Sequence, residues 1–308
     1  MTYAVQVEWN WLVAVYLFLG GMGAMVMAVS IFAHIYKIGG SDNGRLAWWG
    51  NWIGILMLAV GSAMLFYHLL NHLAVWRVLV GVFYKPDAWI AWGTWFIIFA
   101  MIGAFWYTLP LTQKMPVFEN WRIYQWFKGL CQKYHKAIGW FTAINGILTA
   151  VYTGLLLQSF PAVSLWHNPG IPVLFTVSAT STAIATLLIV QYTILKNEQD
   201  RALRHLFEKT DAWLIGIEII IIFTFLNYLL IGSEGGRVSY ELLWGNPLWV
   251  WGFVVLGLIV PFIIEVGVLL KRIPSGALTV ISAAVLVLMG GYLLRHFILA
   301  AGVYEYPW

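Results

Sequence analysis

The chain is short of charge and nearly devoid of cysteine, and each shortage removes whole classes of protein. Of its 308 residues only 10% are Asp, Glu, Lys or Arg, whereas 61% are hydrophobic. Soluble domains carry about 25% charged and about 45–50% apolar residues. So few charges cannot clothe a water-facing surface, so the surface must face lipid. A single cysteine, Cys131, excludes a disulfide framework, a four-cysteine zinc site and an iron–sulfur cluster ligated by this chain alone. No basic segment precedes the first apolar run near Trp11, so no cleavable signal peptide is expected. The net charge of +4 is small. Topology explains its placement, and nucleic-acid binding is not needed to account for it.

Long apolar runs are what the chain has in quantity. A helix needs about 20 mainly apolar residues to cross the hydrocarbon core. Eight runs qualify: Trp11–Ile35, Leu46–Leu70, Ala88–Leu109, Ala137–Leu157, Ile171–Leu195, Ala212–Ile231, Pro247–Leu270 and Gly276–Ala301. They are too long and too continuously apolar for barrel strands, which would alternate over about 10 residues. The expected fold is all-α: one integral membrane domain over 1–308, with eight transmembrane helices in two four-helix bundles, about 1–158 and 159–308. The longest connection runs from Pro110 to Lys136. Within it, Trp121–Lys133 mixes aromatic and basic residues, which suits a helix lying on lipid headgroups.

Basic residues orient the spans. Lys37, Arg45, Lys114, Arg122, Lys128, Lys133, Lys136, Lys196, Arg201, Arg204, Lys209, Lys271 and Arg272 all fall in the odd-numbered loops. Only Arg77, Lys85 and Arg237 fall on the other side, and Arg295 lies within a span. Positive charge stays inside. Both termini are therefore expected outside, in the periplasm of a cell whose inner membrane holds the chain. That outer side is rich in tryptophan: Trp9, Trp11, Trp76, Trp89, Trp92, Trp166, Trp244, Trp249, Trp251 and Trp308. An interface belt accounts for any one of them. Together with the Gly- and Pro-containing loops Asn71–Asp87, Gln158–Gly170 and Gly232–Asn246, they suit a protein docking face.

Ionisable side chains inside a bilayer are costly, so each is a functional candidate by default. Glu218 lies about two turns into the sixth span from its cytoplasmic end, and Glu265 within about two turns of the cytoplasmic end of the seventh. Asp211 borders the start of the sixth, where an acid also suits the helix dipole. Arg295 lies about two turns below the outer end of the eighth span, and Tyr152 lies at similar depth in the fourth. His68 and His72, four residues apart, share a face at the outer end of the second. Plainer readings exist: Arg295 snorkelling to headgroups, the acids pairing with loop cations, the histidines and Tyr152 sitting at the interface.

Two rival functions follow from the same residues. A dihaem cytochrome b anchor would take His68, His72 and His296 at the outer level and His34, His135 and His205 at the inner level. However, no two helices each carry an inner and an outer His. A proton-coupled transporter would use Glu218 and Glu265, with Pro261 breaking the seventh span and a weak echo between Tyr16–Met25 and Val173–Ala183.

Four strings, in order along nearly the whole chain, resemble the polysulfide-reductase membrane subunit, or NrfD-like, family. They are WNWLVAVYLFLGGMGA (Trp9–Ala24), YKPDAWIAWGTW (Tyr84–Trp95), the stretch Tyr152–Ala185 with its Tyr-x-Gly start, and GGYLLRHFILAAG (Gly290–Gly302). The resemblance implies a quinone-interacting anchor with no redox metal and no haem of its own. It implies a ferredoxin-like iron–sulfur partner coupled to a catalytic subunit, molybdopterin-dependent in many cases, and menaquinone or ubiquinone bound near the docking face. It places the family's quinone-site tyrosine on Tyr152 and its last-helix arginine on Arg295. The family's first-helix asparagine meets Val13 here, leaving Asn10 as a weak substitute, and the string after helix 2 is degraded to His72, Leu73, Ala74, Val75.

The residues themselves agree on one point. Tyr152, Arg295, Trp11, His68 and His72 all fall near the outer ends of their spans. A quinone needs an apolar slot for its tail and a few convergent polar groups for its carbonyls. Tyr and Arg donate hydrogen bonds to such oxygens, and His68 or His72 has the titration range to exchange protons there. Glu218, Glu265 and Asp211 would then carry protons through the cytoplasmic half.

Overall fold

The structure, a computed structural model, describes residues 3–40, 42–68, 76–112, 122–196, 201–274 and 276–305. In chain order their helices are α1 (Trp11–Ile35), α2 (Gly44–His68), the short α3 (Trp76–Tyr84), α4 (Trp89–Leu111), the short α5 (Arg122–Lys133), α6 (His135–Gln158), α7 (Gly170–Thr193), α8 (Arg201–Ile231), the short α9 (Glu234–Trp244), α10 (Leu248–Leu269) and α11 (Ala277–Ala300). Eight of them are long and apolar enough to cross a membrane, so the chain is an all-α, multi-pass membrane protein. Such spans are apolar all round because lipid covers whatever protein does not, and their backbone groups are satisfied within each helix.

Contacts run in a ring through α1, α2, α4 and α6, and in a second ring through α7, α8, α10 and α11. α1 touches both rings, packing on α2 and α6 and also on α7 and α11. Its most apolar stretch and that of α7 are 72% buried, against 28% for α2 and α10. The first span of each half is thus the inner one. Small residues permit the closest approaches: a Cβ on Gly257 of α10 would lie 2.5 Å from the Gly290 Cα of α11.

Three features depart from the sequence expectation. α8 begins at Arg201 rather than Ala212. Its 31 residues extend about 46 Å, well beyond a hydrocarbon core of about 30 Å, so its charged first turns project past the lipid tails. Pro261 does not break its span. Leu248–Ile259 is wound as a π-helix, in which the Val260 N–H reaches the Val255 carbonyl, and Pro261 falls in the first turn of the α-helical remainder. A missing N–H costs little there. Finally, β1 (Tyr3–Val5) pairs antiparallel with β2 (Val303–Glu305), which ties both ends of the described chain to one face. That face is called the terminal face below, and the face of the basic loops the basic face. α5 takes up most of the predicted interfacial stretch; its one buried residue is Cys131, where burial pushes the thiol pKa up.

Ser233 caps α9 by accepting from the Gly236 N–H, and Glu305 accepts from Gly235 N–H and from the Ser233 hydroxyl. Trp166, fully buried, donates its indole N–H to the Ile298 carbonyl at 2.7 Å. Trp249 is also buried, so these two tryptophans build the protein interior, whereas Trp11, Trp76, Trp244 and Trp251 are exposed.

Candidate functional site

α1 and α6 bring Tyr16 and Tyr152 together near the terminal face, with the two hydroxyl oxygens 2.8 Å apart and both rings buried. Two hydroxyls bonded to each other use one of their two protons, so the pair retains one to donate. Tyr16 forms part of the wall of a cavity of about 480 Å³ between α1, α2, α3 and α4. Leu65, Phe66, Val78, Ile97 and Met101 make the rest of that wall mostly apolar. Thr94 also lines it, but its hydroxyl is bonded back to the Ile90 carbonyl. Gly93 makes the arrangement possible, because a Cβ at that position of α4 would collide with the Tyr152 ring.

Arg295 occupies a different face of α1. It is fully buried, so it does not snorkel. Its Nη1 donates to the Gly291 carbonyl (2.7 Å) and the Ser178 hydroxyl (3.2 Å), and its Nη2 to the Phe175 carbonyl (3.2 Å). The guanidinium lies 5.1 Å from the Phe175 ring centroid and 5.7 Å from that of Phe18, within cation–π range. Ser178 also reaches the buried Glu218 carboxylate and so stands between acid and base.

Farther toward the basic face, the Ser181 hydroxyl donates to Asp211 Oδ1 at 2.5 Å. The Asp211 and Glu265 carboxyls are neighbours, and neither Asp211 Oδ2 nor Glu265 Oε2 has a hydrogen-bond donor among the described residues. Two facing carboxyl oxygens attract only through a proton carried by one of them. Glu208, buried and one turn from Asp211, accepts from the Tyr192 hydroxyl at 3.3 Å. Arg204, Glu208, Asp211, Ile215 and Glu218 are all buried and share one face of α8 by their three- and four-residue spacing. Helix packing closes in its inner members, Asp211, Ile215 and Glu218.

The candidates named from sequence therefore divide. Asp211, Glu218 and Glu265 come together, and Arg295 joins their end through Ser178. Tyr152 joins Tyr16 instead. Trp11 and Asn10 line a separate hollow of about 240 Å³ with His296, at the mouth between α1 and α11. Asn10 caps α1, its Oδ1 accepting from the Leu12 N–H at 3.0 Å. His68 ends α2 and does not line the tyrosine cavity; His72 lies outside the described residues. At the basic face, His34 bonds Tyr107 (2.7 Å) through Nδ1 and Asp42 (3.1 Å) through Nε2, so both its ring nitrogens are engaged. His135 stacks on Tyr107 with centroids 4.1 Å apart.

Sequence reasoning missed Tyr16, Gly93, Ser178, Ser181 and Glu208. Signals existed for some of them. Tyr16 sits in the first quoted string, and both serines sit in VSATSTA, an unusually polar run for a buried span.

The architecture and these two sites define a multi-pass helical membrane protein with a buried tyrosine pair beside an apolar cavity and a buried row of ionisable groups. Among the described residues no group of three or more His, Cys, Asp or Glu side chains is placed to hold a metal ion. The profile of the polysulphide reductase, NrfD family matches residues 2–306, and the chain belongs to that family. It is 24% identical over 306 residues to Protein NrfD of Escherichia coli K12, and 26% identical over 308 residues to the Protein NrfD homolog of Haemophilus influenzae. It is 26% identical over 322 residues to one of the chains of the polysulfide reductase of Wolinella succinogenes. Each alignment covers 96% of this chain and 94% of the relative.

Proposed function

We propose that the chain is the membrane anchor of a multi-subunit oxidoreductase, exchanging electrons between the quinone pool and an iron–sulfur subunit docked on the terminal face. Membership of the family supports the anchor role, and the Wolinella relative, named as one chain of a reductase, points to further subunits. Those partners would hold the iron–sulfur clusters and, in the catalytic subunit, a molybdopterin. The basic-loop asymmetry supports a terminal face on the periplasmic side of the inner membrane.

One observation carries the reading: Tyr16, whose hydroxyl is bonded to that of the buried Tyr152, lines an otherwise mostly apolar cavity. The residues fit a quinone, menaquinone or ubiquinone, whose isoprenoid tail needs the apolar wall and whose carbonyl needs the one free hydroxyl proton. A bound quinone supplies two-electron, two-proton redox chemistry. Tyr16 and Tyr152 orient the head and hold a proton at Oη, and Gly93 leaves the Tyr152 ring room to stay there. Trp11 and Asn10 line the separate hollow beside His296, and His68 ends α2, so they stand apart from the hydrogen-bonded end. Arg295 acts on the protonic side, fixing Ser178 and Glu218. Glu218, Asp211 and Glu265 relay protons between that point and the basic face.

The test is purification in mild detergent, with mass spectrometry of the subunits, quinone extraction and a visible spectrum. An iron–sulfur subunit, extractable quinone and no sharp haem bands are expected. A solitary polypeptide without quinone overturns the reading in favour of a transporter. Haem bands assigned to this chain overturn it in favour of a cytochrome.

A further inference from the structure

At the basic face, a second cavity serves neither the tyrosine pair nor the carboxyl relay. It measures about 590 Å³ and lies where α7 ends and where α8 and α11 begin. Arg201, Arg204, His205 and Glu208 of α8 line it with Tyr192 and Lys196. Arg204 is the unusual member, being only 7% exposed. Its guanidinium lies 4.2 Å over the Tyr192 ring, and its Nε and Nη2 find no acceptor among the described residues. Leaving buried donors of a cation unbonded is costly. Glu208, the carboxylate in this wall, accepts from the Tyr192 hydroxyl and forms no ion pair with Arg204 among the described residues. Among the described residues the arrangement supplies no acceptor for these two nitrogens.

Three further facts say what kind of acceptor fits. Lys196 and Arg201 stand exposed at the rim, so the net charge of the wall is positive. Ala277, the first residue of α11, also lines the cavity, and its N-cap residue, Gly276, brings no side chain to cap that helix start. Its free N–H groups and positive dipole end favour an anion. The level is that of the headgroups, because α7 ends at Thr193 and α11 starts at Ala277 while α8 continues past both. A guanidinium fork suits the oxygens of a phosphate.

We propose that this cavity is a phosphate-binding site filled by the headgroup of an anionic phospholipid, with Arg204 as its buried anchor and Lys196 and Arg201 as its rim. The experiment uses the full chain in its native complex, washed in detergent and then exposed to diphosphatidylglycerol, phosphatidylcholine or millimolar inorganic phosphate. Native mass spectrometry should show diphosphatidylglycerol retained, phosphatidylcholine lost and inorganic phosphate unable to displace the lipid. Arg204→Gln should weaken retention about 10–100-fold, the loss expected for a charged hydrogen-bond pair. Should that variant fail to accumulate, the exposed pair K196Q/R201Q should still reduce retention and make it less sensitive to salt. Unchanged retention in the variants that fold overturns the proposal. Displacement by inorganic phosphate overturns the lipid source and assigns the site to a free anion.

Discussion

In the first half of the protein the buried polar groups near the terminal face are neutral: Tyr16 and Tyr152 share a hydrogen bond, and Tyr16 lines a cavity of about 480 Å³. In the second half the buried polar groups run from Arg295 toward the basic face and include ionisable side chains, with Arg295, Ser178, Glu218, Asp211, Ser181 and Glu265 buried in helix contacts. α1 separates the two, presenting Tyr16 on one face and packing Phe18 and Gly21 against Arg295 on another. A cavity with neutral donors accepts a large apolar molecule without having to desolvate a charge. A sealed row of acids and one base has room for nothing larger than a proton or a water, and it survives in lipid only because its members compensate one another. The Tyr152–Arg295 pair that looks like one site along the sequence is therefore divided, with Tyr152 bonded to Tyr16 and Arg295 to Ser178.

The contrast is broken most forcefully at Arg295. Arg295→Leu removes the base that faces Glu218 across Ser178 and leaves Glu218 and three acceptors uncompensated. A loss of about 3–5 kcal/mol is expected, as for other halved buried pairs. It should show as poor accumulation in the membrane and a lowered unfolding temperature in detergent. The double variant R295L/E218Q should recover part of that loss. No recovery would mean that Glu218 is not the charge Arg295 compensates.

The first half should respond in the opposite manner, losing activity before stability. Tyr152→Phe deletes one hydroxyl at a stability cost of about 1 kcal/mol. If the pair hydrogen-bonds developing charge on a quinone, quinol-linked turnover should fall about 10–100-fold. Gly93→Ala leaves every hydroxyl in place yet drives a methyl into the Tyr152 ring. It should reproduce the turnover defect, whereas Gly81→Ala, in the nearby α3, should not. Full turnover in both Y152F and G93A would remove the tyrosine pair from the site.

A smaller effect is expected from the facing carboxyls. Glu265→Gln replaces one carboxyl by a similarly shaped amide that can donate to Asp211, so the fold should persist. If the row relays protons, proton uptake per quinol measured in proteoliposomes should drop by about half or more, while electron transfer with an artificial acceptor continues. An unchanged ratio of protons to electrons would make the row structural.

The span count, the basic-loop asymmetry and the interfacial helix were legible because lipid imposes a crude rule, long and apolar, that composition alone satisfies. Individual acids and Arg295 stood out for the same reason, as exceptions to that rule. What stayed hidden were relations across helices. Tyr16 looks like any interfacial tyrosine until α6 is laid beside α1, and Gly93 means nothing until a ring from another helix fills its missing side chain. The start of α8 is invisible to hydropathy, which measures the lipid slab rather than the helix, because Arg201–Lys209 winds on where the apolar run has ended. The strand pairing of the two ends leaves no periodic trace at three residues apiece.

Asn10 gives the finest discrimination between the two accounts of the terminal face. As a ligand-contacting residue its loss would cost turnover; as a cap it would cost only helix stability. Its Oδ1 accepts from Leu12 N–H, and its backbone has the extended geometry of a residue preceding a first helical turn. Asn10→Ala should therefore lower stability by about 1 kcal/mol, the usual loss of an N-cap. Asn10→Ser, which restores a capping oxygen but not an amide, should recover nearly all of it. Quinol turnover at a temperature well below unfolding should stay unchanged in both. A turnover defect that serine leaves uncorrected would extend the site from the tyrosine cavity to the hollow formed by Trp11, Asn10 and His296. The outer end of α1 would then belong to both.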